Sequence, residues 1–329
     1  MEDVIIIGAG PCGLSAAIEC QRRGLTSLVI EKNFIVHSIY LYPVHMQFFS
    51  TTELLEIGDV PFTSPHEKPY RHEALVYYRR AAELHQLRIA SYEEALKVEP
   101  LKDGSFAVHT VNMRGESQTR LAANVVIATG YFDQPNLLGI PGEELPKVSH
   151  YFGEAHPYSG MKVTIIGGSN SAVDAALELM RVGASVDVVY RGDNISDNIK
   201  PWVRPIFESM VQKGKITLHL QSRVTEIHPD SVNITSKDEV NLRLDNDFVL
   251  ALTGFRPNRA LLTSAGITIL DGQDKPEFNP ATMESHVPGL YIAGVIASGS
   301  NANEVFIETG RGHGTLIAEH IALRQSKHD

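Results

Sequence analysis

The chain has 329 residues, with 29 Lys and Arg against 39 Asp and Glu, so its formal net charge is −10. This length accommodates about two domains of ~150 residues each, and the acidic balance argues against nucleic acid or an anionic membrane as the main partner. No apolar run approaches the ~18 residues of a membrane span, and the acidic start lacks the basic region of a signal peptide. We therefore expect a cytoplasmic protein.

The first predicted elements form a βαβ unit. A β-branched strand at residues 4–7 runs into the sequence GAGPCG at residues 8–13, an amphipathic helix follows until Gly24, and a second strand ends at Glu31. The G-x-G-x-x-G spacing predicts a dinucleotide site, because its glycines permit the tight turn, the approach of a pyrophosphate and close helix–strand packing. Glu31 stands where a carboxylate accepts hydrogen bonds from both ribose hydroxyls, and it would repel a 2′-phosphate.

The middle of the chain alternates between irregular and regular segments. Residues 33–70 read as irregular and rich in aromatic residues, whereas residues 71–86 have helical character. Residues 87–125 alternate as antiparallel strands around a turn at 102–104, and a buried strand then runs into the turn Ala128-Thr129-Gly130.

A second βαβ unit begins at residues 163–166 and continues into the glycine turn GGSNSA at residues 167–172. Its helix ends at Gly183, and its second strand, at 186–190, is closed by Arg191. Arg191 occupies the position that Glu31 has in the first unit, and a cation there suits the 2′-phosphate of NADPH. Lys200 is a candidate for a second positive charge. The carboxylate of Asp193 argues slightly against a 2′-phosphate at this position.

The last predicted elements return to the first architecture. Strands precede Thr253-Gly254, another strand at 290–293 ends at Gly294, and a closing helix is expected at about 304–324. We predict an α/β fold with two Rossmann-like three-layer domains, the nicotinamide domain inserted in the domain of the first glycine turn. The domain of the first glycine turn would comprise residues 1–132 and 258–329, and the NADPH-binding domain residues 133–257.

Cysteine is scarce, since the chain contains only Cys12 and Cys20. On one helix their backbones would lie ~12 Å apart, beyond the ~7 Å that a disulfide allows. No CxxC pair exists and no metal site is expected. Redox chemistry therefore needs a cofactor, a single thiol or both.

The combination of the first glycine turn, Glu31, the ATG turn at 128–130 and the sequence GLYIAG at 289–294 resembles the two-dinucleotide flavoprotein disulfide-reductase superfamily. This resemblance implies that the first site holds FAD, that residues 1–132 and 258–329 form the FAD-binding domain, and that both later turns line the flavin. Val295 departs from the pattern, because relatives carry Asp there. Nearby Asn301, Asn303 or Glu304 could substitute for that Asp, and the closing helix would direct its N-terminus at the flavin.

One branch of this superfamily is especially similar. The sequences GPCGLSAAI (10–18), SIY (38–40), IGDVPF (57–62), HYF (150–152), EAHPY (154–158), KPW (200–202) and FIETG (306–310) resemble the bacillithiol-disulfide reductases, the YpdA family. The resemblance implies that NADPH reduces FAD, that reduced FAD regenerates bacillithiol from its disulfide, and that the protein is a homo-oligomer, either a dimer or a tetramer.

The residues expected to hold the cofactors fall into two sets. For FAD they are Gly8, Gly10, Pro11, Cys12, Gly13, Glu31, Lys32, Tyr40, Ala95, Ala128, Thr129, Gly130, Gly294, Val295, Phe306 and Ile307. For NADPH they are Gly167, Gly168, Ser169, Asn170, Ser171, Tyr190, Arg191, Lys200, Thr253 and Gly254.

The resemblance also implies that Cys12 is the catalytic thiol. A helix N-terminus should lower the pKa of Cys12, although a neighbouring pyrophosphate opposes this effect. We hypothesise that Cys12 attacks the substrate disulfide; the alternative is that it is only a small residue in a tight loop, and Cys20 is expected in the core. His156, His313, Tyr40 and His45 are candidate pocket residues, because a leaving thiolate needs a proton donor.

Three other functions stay open at this point. A thioredoxin-reductase-like ferredoxin- or flavodoxin-NADP reductase would also lack CxxC, although the net charge of −10 does not indicate a basic docking face. The sequence ATGY at 128–131 suggests a flavin monooxygenase. A non-enzymatic redox sensor that binds both cofactors is the third alternative.

Overall fold

The structure is a computed structural model that describes residues 1–270, 274–301 and 304–326. The chain divides into two compact units. The first comprises residues 1–41, 45–134 and 255–329, and the second comprises residues 42–44 and 135–254. The division falls beside the boundaries expected at 132/133 and 257/258.

The described strands are, in chain order, β1 (Glu2–Ile7), β2 (Ser27–Glu31), β3 (Ile89–Ser91), β4 (Glu93–Pro100), β5 (Phe106–Asn112), β6 (Ser117–Ile127), β7 (Val148–Ser149), β8 (Lys162–Ile166), β9 (Ser185–Val189), β10 (Thr217–His219), β11 (Ser222–Ile227), β12 (Ser231–Ser236), β13 (Asn241–Asp245), β14 (Phe248–Ala251), β15 (Ile269–Leu270), β16 (Lys275–Pro276) and β17 (Leu290–Ile292).

The described helices are α1 (Pro11–Arg22), α2 (His37–Tyr40), α3 (Thr52–Leu55), α4 (Arg71–Leu84), α5 (Asn170–Arg181), α6 (Arg204–Gln212), α7 (Arg259–Ser264), α8 (Ile307–Gly310) and α9 (His313–Gln325), with 3₁₀ turns at His156–Tyr158 and Gly294–Ser298. None of the helices in the described ranges is long and apolar enough to cross a membrane.

The first unit is built on a seven-stranded sheet. Its order is β3-β2-β1-β6-β5-β4, and β17 pairs with β6. Strands β1, β2, β3 and β17 pair in parallel with one another or with the second half of β6. Strands β4, β5 and the first half of β6 form an antiparallel meander. Residues 4–7 are all buried, as the β-branched run predicts for a central parallel strand.

The second unit repeats the same plan. Its parallel sheet has the order β10-β9-β8-β14-β7, and β11, β12 and β13 form a separate antiparallel sheet. Helix α5 joins β8 to β9 and packs its buried face, including Val173, Ala176 and Leu179, into the core of this unit. The predicted fold class of two Rossmann-like domains, one inserted in the other, is confirmed.

Candidate functional site

The first glycine turn joins β1 to α1, and each of its glycines has a different surrounding. Gly8 has a φ of 110°, and a Cβ there would lie 2.5 Å from the carbonyl oxygen of Ala128. A Cβ on Gly13 would overlap the carbonyl oxygen of Gly8, so α1 could not approach the turn. A Cβ on Gly10 would meet no protein atom within 4 Å. The protein itself requires the outer two glycines, and the middle one borders open space that fits a ligand.

The N-terminus of α1 adds hydrogen-bond donors to this open space. Gly10 is the N-cap and supplies no side chain, and Pro11 at the first position has no N–H. The N–H groups of Cys12 and Gly13 have no acceptor within the helix, because the first turn of any helix lacks one. This is the arrangement that binds a pyrophosphate.

Glu31 is fixed at the end of β2, beside the turn. One of its carboxylate oxygens accepts the N–H of Ala9 at 2.8 Å, and the other accepts the N–H of Asn33 at 2.9 Å. Burial raises the pKa of Glu31, and these two backbone hydrogen bonds oppose the rise. A carboxylate has about four acceptor positions, so two remain for a ribose diol.

The two later turns meet at the carboxyl end of β6. Ile127 lies opposite Ile7 of β1 and Ile292 of β17 in the sheet register. A Cβ on Gly130 would have the Cγ1 of Val295 as its nearest neighbour, at 3.9 Å. The ATG turn and the turn at Gly294 therefore lie side by side, at the strand ends where open α/β sheets bind ligands.

Lys32 and Ala95 lie near the end of β2. The Nζ of Lys32 is 3.3 Å from Asp133 and 3.6 Å from Glu94. The N–H of Tyr92 donates to the carbonyl oxygen of Asn33 at 2.7 Å, which holds the start of β4, and with it Ala95, against this end of the sheet.

The thiol of Cys12 occupies a notch between two glycines. A Cβ on Gly294 would lie 3.0 Å from its Sγ, and a Cβ on Gly310 would lie 2.9 Å from it. Both cysteines are free, and both lie on α1. Burial raises the pKa of the Cys12 thiol to about 12. The expectation of a lowered pKa was therefore wrong, because removal of the thiol from water raises the pKa.

His313 lies on the other side of Gly294, at the start of α9. Its Nδ1 accepts the N–H of Gly294 at 3.1 Å, and burial lowers the pKa of His313. A neutral ring whose Nδ1 accepts carries its proton on Nε2, where it is a donor. Of the other candidate pocket residues, His45 and Tyr40 are exposed in the first unit, and His156 lies in the second unit.

The closing segment differs from the single helix expected from about residue 304. Helix α8 begins at Ile307, and Arg311 and Gly312 separate it from α9. The break lets α9 cross α1 closely, since a Cβ on Gly314 would lie 2.7 Å from the Cα of Ala16.

Two of the residues proposed to substitute for an Asp at position 295, Asn301 and Glu304, bind other side chains. Lys275 binds the carboxylate of Glu304 at 3.0 Å, and the side-chain amide of Asn301 donates to the same carboxylate at 2.9 Å. Asn303 lies outside the described residues. Phe306 caps α8, and its N–H donates to Thr309 at 3.2 Å.

The second glycine turn joins β8 to α5. Gly167 has a φ of 143°, and a Cβ there would overlap the carbonyl oxygen of Leu252. Gly168 lies directly against the ring of Tyr190, where a Cβ would overlap the ring carbons. Ser169 is the N-cap of α5 and makes no side-chain capping bond. The N–H groups of Asn170 and Ser171 therefore have no helical or capping acceptor, as in the first turn.

The two cations predicted near the second glycine turn, Arg191 and Lys200, differ in their contacts. Arg191 is exposed and makes no ion pair with any residue in the described part of the chain. Lys200, in contrast, binds the carboxylate of Asp174 at 3.0 Å, and its role as a second charge for the 2′-phosphate stays a prediction.

Two further predicted residues are tied to neighbouring backbone. The side chain of Asn170 bonds the carbonyl oxygen of Asn198 and the N–H of Lys200, at 2.8 and 3.0 Å. Thr253 donates to the carbonyl oxygen of Asn136 at 2.7 Å, and the N–H of Asn136 donates to Gly254 at 2.9 Å.

Comparisons with known proteins agree with this arrangement. The family described as "Pyridine nucleotide-disulphide oxidoreductase" matches residues 5–294. The chain is 47% identical over 325 residues to bacilliredoxin reductase Bdr of Bacillus subtilis, covering 99% of each protein.

Solved structures extend this similarity. The bacillithiol disulfide reductase Bdr (YpdA) from Bacillus cereus matches with a TM-score of 0.95 and 48% identity, over 98% of this chain and 99% of that one. The protein of that name from Staphylococcus aureus matches with a TM-score of 0.92 and 44% identity, over the same shares. Thioredoxin reductase of T. acidophilum, 21% identical with a TM-score of 0.75, shares the fold.

The fold and the two glycine turns thus define a flavin- and pyridine-nucleotide-dependent oxidoreductase with two dinucleotide-binding units. The chain belongs to the pyridine nucleotide-disulphide oxidoreductase family. The resemblance to the bacillithiol-disulfide reductases, drawn from the sequence alone, is confirmed.

Proposed function

We propose that this protein uses NADPH and FAD to reduce a low-molecular-weight disulfide, namely bacillithiol disulfide, to two thiols. The observation that carries the proposal is the position of Cys12. This residue belongs to the first glycine turn, and its thiol lies between Gly294 and Gly310. The names of the relatives from Bacillus cereus and Staphylococcus aureus point to the same substrate. We further propose that the protein is a cytoplasmic homo-oligomer.

We assign FAD to the first unit. Gly8, Gly10 and Gly13 fit a pyrophosphate, Glu31 offers its remaining acceptor positions to the ribose, and the turns at Gly130 and Gly294 form the flavin end of the site. When bound, FAD supplies the two-electron connection between nicotinamide and disulfide. The aliphatic Val295 places no carboxylate at this end of the site.

We assign NADPH to the second unit. The backbone N–H groups at the start of α5 suit its pyrophosphate. The exposed guanidinium of Arg191 suits its 2′-phosphate, since arginine binds phosphate through paired, charge-assisted hydrogen bonds. The ring of Tyr190 covers Gly168 and forms one wall of this site.

Cys12 would act as the nucleophile. Its sulfur, once deprotonated, attacks one sulfur of the substrate, the S–S bond breaks, and the departing thiolate takes up a proton. Two electrons originating from NADPH, together with two protons, then cleave the Cys12–substrate disulfide, which releases the second thiol and restores the Cys12 thiol. The departing thiolate takes its proton from solvent or from the Cys12 thiol, and the Nε2–H of His313 is the hydrogen-bond donor that we assign to stabilise this thiolate.

The deciding experiment follows NADPH consumption with bacillithiol disulfide. We expect one NADPH consumed per two thiols formed, and we expect Cys12→Ala to lower this rate by at least ~100-fold. Reduction of ferricyanide by NADPH, which needs no thiol, should stay within about twofold in the same variant. Cys20→Ala is the matched control and should behave as the wild type. A Cys12→Ala enzyme at full rate would contradict the role of the thiol.

A second candidate acceptor is bacilliredoxin, which is the acceptor named for the relative from Bacillus subtilis. The same assay with oxidised bacilliredoxin, in place of the small disulfide, distinguishes the two. A higher kcat/KM for the protein disulfide would move the assignment to this second candidate.

A further inference from the structure

Arg71, the first residue of α4, is a buried cation of unusual surroundings in the first unit. Only 9% of this residue is exposed. Its Nε and Nη2 donate to a single acceptor, the carbonyl oxygen of Tyr40, at 3.1 and 2.5 Å. The guanidinium also lies over the ring of Tyr40, 5.0 Å from its centroid.

No carboxylate in the described ranges of the chain forms an ion pair with Arg71. Glu73, the acidic residue in the same first turn of α4, already binds other groups. Its carboxylate accepts the hydroxyl of Ser64 and the N–H of Tyr70, both at 2.7 Å, and lies 3.4 Å from His66. The positive charge of Arg71 is therefore not neutralised by a carboxylate of the described residues.

The donor capacity of Arg71 is also incompletely used. A guanidinium has five N–H groups in a fixed plane, and the bonds to Tyr40 use two of them. Nη1 has no acceptor among the described residues, and it is not among the atoms sealed from solvent. Burial of an unpaired guanidinium costs free energy, and arginine does not escape this cost by losing its proton.

The position of Arg71 relates it to the first glycine turn. Tyr40 ends α2, and the helix is anchored to the turn because the N–H of Val36 donates to the carbonyl oxygen of Ala9 at 3.0 Å. The segment that follows α2 reaches α8, where Ser50 donates to Glu308 at 2.7 Å. Through Tyr40, Arg71 thus contacts the start of the segment that runs between the glycine turn and the helix carrying Gly310.

We infer that Arg71 is a binding residue for an anionic group on the non-reacting part of the disulfide substrate, a carboxylate held by Nη1 and Nη2. Two parallel N–H donors allow arginine to bind both oxygens of a carboxylate at once. The inference rests on the proposed disulfide-reductase function and deepens it, since it assigns the enzyme to anionic rather than neutral disulfides.

The test uses two small disulfides that differ only in charge, lipoate and lipoamide. Calorimetric titration of the oxidised holoenzyme should show lipoate binding about 10- to 100-fold more tightly than lipoamide. Arg71→Gln should abolish this preference, and Arg71→Lys should retain part of it, because a lysine keeps the charge but not the planar donors. Arg80→Gln changes an exposed arginine of the same helix and should leave the preference intact.

Equal binding of lipoate and lipoamide by the wild type would overturn the inference, as would a preference that survives in Arg71→Gln. A loss of flavin from both Arg71 variants with the preference retained would assign the residue to the cofactor instead. None of these readouts requires turnover. An enzyme that fails to consume NADPH with bacillithiol disulfide but prefers lipoate would refute the proposed function and leave the anion site standing.

Discussion

At the scale of single residues, the environment of Cys12 decides what its thiol can do. Its Sγ is packed against Gly294 and Gly310, and burial raises its pKa to about 12. The resting thiol is therefore protonated at neutral pH, so attack on a disulfide requires that the proton leave while substrate is bound. The nearby ring of His313, which is neutral and carries its proton on Nε2, does not supply an additional positive charge to stabilise the thiolate.

This environment predicts slow alkylation of the native protein. A thiol of pKa about 12 has roughly a thousandfold less thiolate at pH 8 than an ordinary cysteine of pKa ~8.5. Iodoacetamide at pH 8 should therefore label Cys12 about three orders of magnitude more slowly in the native than in the unfolded protein. Peptide mapping by mass spectrometry measures both rates, with Cys20, whose pKa burial also raises to about 12, as the internal reference. Equal rates for Cys12 in the two states would refute the burial argument.

At the scale of elements, α1 is held from two sides. Gly13 lets its first turn lie against Gly8, and Gly314 lets α9 cross it at Ala16. The hydroxyl of Ser15 on α1 donates to the carbonyl oxygen of Arg311 at 2.7 Å, at the break between α8 and α9. The break thus positions α8, and with it Gly310, against Cys12.

The glycines of the first glycine turn, at residues 8–13, should respond differently to substitution by alanine. Gly13→Ala places a Cβ on the carbonyl oxygen of Gly8, so we expect destabilisation of about 1–3 kcal/mol, visible as a lower melting temperature of the apoprotein. Gly10→Ala meets no protein atom within 4 Å and should leave the apoprotein's melting temperature unchanged while lowering its flavin content. Gly153→Ala, also without neighbours within 4 Å, is the control for both measurements. Normal flavin retention in Gly10→Ala would contradict our account of the open space.

At the scale of the whole molecule, the parts that could be predicted from the sequence are those with local spacing. Both βαβ units, their glycine turns and the acid or base that closes each second strand lie within short windows. Contacts between distant residues were not predictable in this way. Three contacts depend on tertiary packing, and no periodicity or motif encodes them: Gly310 with Cys12, Arg71 with Tyr40, and Lys200 with Asp174. The pKa of Cys12 was predicted wrongly for the same reason, since burial is a tertiary property.

Because we assign FAD to the first unit and NADPH to the second, we expect that each cofactor site can be impaired without the other. Arg191→Gln removes the exposed cation of the second unit, so kcat/KM for NADPH should fall about 10- to 100-fold while that for NADH changes little. Flavin content, measured by visible absorbance, should be unchanged, because the residues assigned to FAD belong to the first unit. Arg223→Gln, an exposed arginine on β11 of the same unit, should have neither effect. A parallel loss with NADPH and NADH would show that Arg191 does not read the 2′-phosphate, and the preference for NADPH would then need another residue of the second unit.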